Sequence, residues 1–182
     1  APEPTVKDQY NLKNGQVISG TIRAITSLGV LIKIKGAKTH SRIPLYYMYP
    51  GELTRDSTSM NSYLTKANDD SPAFCQGFCL FHGYGKQPNI PQALKYFEHA
   101  ATEDRYLPAA YYLQWIYQSG DGGVNPNALL AGKWKLVANN ITTNKRNQVA
   151  ATRKALNQQL AASSKPPTSS KTPTASTGTR TA

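Results

Sequence analysis

AFCQGFCLFHGYG, residues 73–85, returns thirty-seven positions later as AYYLQWIYQSGDG, residues 110–122. The stretch that follows the first copy, GYGKQPNIPQALKYFEHAA (83–101), opens like a phosphate-binding glycine loop and ends like the face of a buried helix. Aligning the copies places Ala73 on Ala110, Phe78 on Trp115, Leu80 on Tyr117, Gly83 on Gly120 and Gly85 on Gly122. Past one inserted residue near Gly123 the offset becomes 38, with Ala93 on Ala131, Tyr96 on Trp134 and Ala100 on Ala138. A phosphate loop needs a Lys-Ser/Thr pair after its glycines, and none follows Gly85. Small and aromatic residues recurring at such a period point to a helical repeat array.

Each copy reads as helix, loop, helix. The glycines at 83, 85, 120 and 122 let the chain leave the first helix through left-handed conformations. The alanines at 73, 93, 100, 110, 131 and 138 allow helices to approach, and Trp134 and the other aromatics wedge between neighbours. The pattern resembles the Sel1-like repeat family, relatives of the tetratricopeptide repeats, over roughly 70 residues. In the first copy the matches are Ala73, Gly77, Leu80, Gly83, Gly85, Ala93, Tyr96, Phe97, Ala100 and Ala101. In the second they are Ala110, Leu113, Tyr117, Gly120, Gly122, Val124, Ala131, Trp134 and Ala138. The departures are Gln76 in place of Leu, Gln114 in place of Gly and Lys135 in place of Tyr. The resemblance implies a solenoid that binds proteins, with no cofactor, and a family in which exported members are common.

Arrays generally need about three units to bury their faces. A helix over NKRNQVAATRKALNQQLA (144–161) is expected to cap the second unit, with Thr143 or Asn144 as N-cap and Val149, Leu156 and Leu160 near one face. At the other end, residues 16–44 read as β structure, in the runs QVISGTIRAI, GVLIKIKG and HSRIPLYY. In the middle run Val30, Ile32 and Ile34 alternate with Leu31, Lys33 and Lys35, a half-buried strand pattern. Gly15, Val17, Gly20, Ile22, Ile25, Gly29, Val30 and Ile32 resemble the opening of an S1-type OB-fold over about 30 residues. Leu28 and Leu31 stand where that family stacks bases on aromatics, and its later strands are not found after Ile43.

The expected fold class is therefore α+β: a short antiparallel β module, two Sel1-like α/α repeats, a capping helix and a C-terminal tail of disordered type. The boundaries read as a flexible N-terminus (1–10), β module (11–45), linker (46–71), repeats with cap (72–162) and tail (163–182). The tail, SSKPPTSSKTPTASTGTRTA, contains no large apolar side chain and cannot offset its own ordering entropy. The Met-less APEPT start resembles the residues left after signal-peptide cleavage and points to export, to the periplasm or cell surface. No run of apolar residues is long enough to span a membrane.

The net charge of +11 is unevenly placed. Residues 141–182 hold seven Lys/Arg and no acid, and none lies between Asp8 and Glu52. Candidate polyanion contacts are thus Arg23, Lys33, Lys35, Lys38 and Arg42 in the β module, and Lys145, Arg146, Arg153 and Lys154 further on. Candidate protein-binding aromatics are Phe74, Phe78, Tyr111 and Trp115. Cys75 and Cys79, at i and i+4, suit a disulfide poorly and read as buried free thiols. His40, His82 and His99 lack partners at catalytic spacing, so neither catalysis nor a metal is expected. Three functions remain open. The first is a non-enzymatic adaptor in a larger assembly, the second an RNA- or DNA-associated subunit, and the third a self-assembling oligomer or filament.

Overall fold

The computed structural model describes residues 8–163; the APEPT start and the tail from residue 164 lie outside them. Four strands come first: β1 (Gln9–Asn11), β2 (Val17–Thr26), β3 (Gly29–Ile34) and β4 (His40–Ile43). They form an antiparallel meander in sequence order. A single-turn 3-10 helix (Leu45–Tyr47) leads into α1 (Pro50–Leu53), α2 (Ser57–Asp70), α3 (Pro72–His82), α4 (Ile90–Thr102), α5 (Leu107–Ser119) and α6 (Ala128–Ser163). The chain is therefore α+β, a small antiparallel sheet followed by helices. It divides into two units at Thr143 and Asn144.

In the first unit, alternation along β3 buries Val30 and Ile32 completely, and register carries their row across the sheet through Ile25, Ile43 and Ile22. A β-bulge between Ile22 and Ala24 lies beside Arg23. Under the sheet, Leu12, Leu45, Met48 and Leu53 continue the core into the helices.

The two helical hairpins share their loop chemistry. Gly83 and Gly120 end α3 and α5 in left-handed conformations, with φ of 75° and 74°. Asn89 and Asn127 then cap α4 and α6, accepting from Gln92 N and Leu130 N through their side chains. Their own amides donate back to the carbonyls of Leu80 and Tyr117. Pro88 packs on Gly83, and Pro126 packs on Gly120. The offset of 37 on one side of the loop and 38 on the other is visible in these pairs. The hairpins differ where Gln114 replaces the glycine of the first copy. A Cβ at Gly77 would stand 2.9 Å from the ring of buried Phe97, so this glycine lets α3 and α4 touch.

Three expectations are corrected. Residues 9–11 are paired strand rather than loose terminus, because Tyr10 turns into the core. Residues 46–71 are not a linker: α2 buries Met60, Tyr63 and Ala67 at spacings of three and four, and Asp56 caps it by accepting from Ser59 N. The helix expected over 144–161 has no start of its own. No Gly or Pro occurs from Lys133 to Ser163, so α6 continues unbroken, and Thr142 spends its hydroxyl on the Ala138 carbonyl. In the second unit, residues 144–163 are all exposed, including Val149, Leu156 and Leu160. Trp134 and Ala138, in the part of α6 within the first unit, are the buried ones.

Candidate interaction surfaces

The 3-10 turn at Leu45–Tyr47 presents two tyrosines to α5. Tyr46 stacks on Trp115 with ring centroids 5.2 Å apart, and Tyr47 meets the same indole edge-on at 4.6 Å. Tyr46 also lies edge-on to Tyr112. Beside them the Lys13 ammonium reaches Asp121 at 2.5 Å, and Trp115 Nε1 donates to the same carboxylate oxygen at 3.3 Å. The Lys13 amide donates to the Tyr47 carbonyl, so this lysine binds the 3-10 turn through its backbone and the loop after α5 through its side chain.

This packing redistributes the four candidate partner-binding aromatics. Phe74 and Phe78 are fully buried, a correction to their expected role. Trp115 is half-buried and occupied by the two tyrosines. Tyr111 is the exposed one, at 36%. It shares a cleft of about 90 Å³ with Leu28, Pro44, Tyr46, Pro108 and Tyr112. Leu28, in the turn between β2 and β3, is 44% exposed. The cleft is apolar, of a size for one inserted side chain. Leu28 was not singled out from sequence as a contact residue; a leucine in a four-residue turn was the available signal.

The outer face of the sheet is basic. Register sets Thr21, Lys33 and His40 in one row and Ala24, Leu31 and Arg42 in the next. Arg23 at the bulge and Lys35, whose amide donates to the Ser19 carbonyl, extend the face. Lys33 Nζ donates to the Lys38 carbonyl at 2.8 Å. The face thus gathers Arg23, Lys33, Lys35 and Arg42, with exposed Lys38 in the loop beside it; neither row carries an acid, and the one ring in them is the exposed His40 imidazole. Lys145, Arg146, Arg153 and Lys154 belong to the second unit, where all are exposed.

Beneath the junction, His82 Nε2 lies 3.1 Å from the hydroxyl of buried Tyr112, against the rings of Phe78 and Phe81. Burial, reinforced by the nearby Lys13 charge, lowers the His82 pKa to about 3. Burial likewise raises the Tyr112 hydroxyl well above its usual range. The pair is a neutral hydrogen bond. Because the unfolded histidine binds its proton near pH 6.5, stability is fully present above that pH and falls as pH drops toward 3. Urea unfolding is expected to show a loss of about 2 kcal/mol between pH 7 and pH 5, largely abolished in His82→Gln.

Among the described residues no group of three or more His, Cys, Asp or Glu gathers as metal ligands. No described helix is long and apolar enough to cross a membrane. No protein-family model, curated protein or solved structure matches this chain.

Proposed function

We propose that the protein is a non-enzymatic adaptor, built on two Sel1-like repeats, that holds its place in a larger assembly by protein–protein contact. The observation that carries this reading is the duplicated loop. Gly83 with Asn89, and Gly120 with Asn127, close two helical hairpins by the same hydrogen bonds. Such hairpins bind partners through side chains they leave outside. With Phe74 and Phe78 committed to the core, the contact falls to Tyr111 and Leu28, around a cleft that takes one apolar side chain. An aromatic beside a small pocket is the kind of residue on which interface energy concentrates.

The test isolates the tagged full chain from its native cells at low and high salt. Leu28→Glu and Tyr111→Ala are expected to release a stoichiometric protein partner, weakening it at least about tenfold, while the wild type keeps it at high salt. Retention by both variants overturns the assignment.

A second reading, a nucleic-acid-associated subunit, is favoured by the acid-free outer face of the sheet. Lys33 lies in β3 and Lys35 just past its end at Ile34, while Arg42 lies beside Leu31 in the neighbouring row. With the His40 imidazole as the one ring in these rows, contact would be mainly to the sugar-phosphate backbone, with little dependence on sequence. Four neutralised phosphates on a single strand correspond to a slope near −2.8 in log K against log salt, by the factor of about −0.7 per contact. Lys33→Glu with Arg42→Glu would abolish such binding without touching the Tyr111 cleft.

A further inference from the structure

The chain's two cysteines lie on α3, where Cys75 Sγ donates to the Leu64 carbonyl of α2 at 3.7 Å, and neither is fully buried. Cys75 and Cys79 are free thiols of intermediate exposure, which corrects the expectation of buried ones. One helical turn apart, their Cβ atoms are about 5–6 Å from each other. A disulfide requires about 3.5–4.5 Å between Cβ atoms. Closing that gap would mean unwinding α3, which is held by the Ser71 cap at one end, the left-handed Gly83 at the other and three buried phenylalanines between. Two metal–thiolate bonds of about 2.3 Å each span about 4.5 Å, a separation that two side chains rotating above one helical turn can supply.

We propose that Cys75 and Cys79 form a two-coordinate site for a soft monovalent cation, copper(I). Thiolate pairs select such ions over zinc, which seeks four ligands. The neighbourhood agrees. No third His, Cys, Asp or Glu joins a metal-ligand group among the described residues. The nearest imidazole, His82, has Nε2 engaged by Tyr112. The ammonium of Lys86, which Gln76 Oε1 accepts from in the turn between the two cysteines, adds positive charge beside a site that is anionic once loaded. Loading balances without electron transfer. Two S–H bonds are lost, two S–Cu bonds form, and two protons leave as a copper(I) ion arrives by exchange from a soft-donor carrier.

The test uses the reduced full chain under anaerobic conditions, titrated against the coloured bicinchoninate complex of copper(I). One equivalent of copper is expected to be withdrawn by the wild type and none by Cys75→Ser or Cys79→Ser. Lys86→Gln, which leaves both ligands in place, is expected to weaken uptake. Urea midpoints of all variants are measured alongside, so that a loss of uptake is read only from folded protein. Uptake should weaken as pH falls, because protons compete for both sulphurs. No withdrawal, equal withdrawal by both serine variants, or equal affinity for zinc overturns the site. Ready formation of a Cys75–Cys79 disulfide by a low-molecular-weight disulfide, seen as a mass loss of two hydrogens, overturns the geometric argument.

Discussion

Phe74→Ala is expected to lower the unfolding free energy by about 3–5 kcal/mol, the range for truncating a buried aromatic. The ring is fully buried and has Phe97, Tyr106, Tyr112 and Phe78 around it, with centroids 5.6, 4.9, 5.7 and 6.0 Å away. These neighbours come from α3, α4, α5 and the turn before α5. A void at their centre therefore loosens both hairpins together. The cluster is itself clamped by Ser71, which accepts from Phe74 N and donates to Asp104 at 2.5 Å. The urea midpoint reads the effect. A residue serving only a partner would shift it by no more than about 0.5 kcal/mol, so the measurement separates the core role from the surface one.

Gly29→Ala is expected to cost about 3 kcal/mol or more, adding backbone strain to overpacking. The residue has φ of 137°, and a Cβ there would meet the Ile43 carbonyl oxygen at 2.3 Å and its carbon at 2.9 Å. Both are backbone atoms paired across β3 and β4, so no rotamer change relieves the clash. Hydrogen exchange should quicken along those two strands while the helices stay protected. Gly36→Ala makes the contrast: φ is 83°, with nothing within 4 Å. It should cost only about 1–2 kcal/mol.

The sheet and the hairpins were legible where side chains alternate or recur. Val30 and Ile32 announced β3, and Gly83 and Gly120 announced the left-handed ends of α3 and α5. Less was legible where an element is short or polar. β1 is three residues long and has one inward side chain, Tyr10. α2 shows only Met60, Tyr63, Leu64 and Ala67 among Ser, Thr, Asn, Asp and one Lys, a composition shared with loops. The roles of Phe74 and Phe78 escaped for the opposite reason. α3 is apolar on most of its circumference, and periodicity cannot say which side of such a helix meets solvent. The site residues escaped because they are joined by distance in sequence. Nothing near Lys13 specifies Asp121, and nothing near Tyr46 specifies Trp115.

That last separation bears on how the chain is born. The sheet is a meander of neighbours, so all its strands can pair as soon as residue 43 clears the ribosome. The tyrosines just behind it must wait for Trp115, 69 positions later. At synthesis rates of 5–20 residues per second, the delay is roughly 3–14 s. Through that interval a folded sheet travels with Tyr46 and Tyr47 uncovered. It is the nascent chain, rather than the finished one, that presents the larger sticky surface to whatever attends its synthesis.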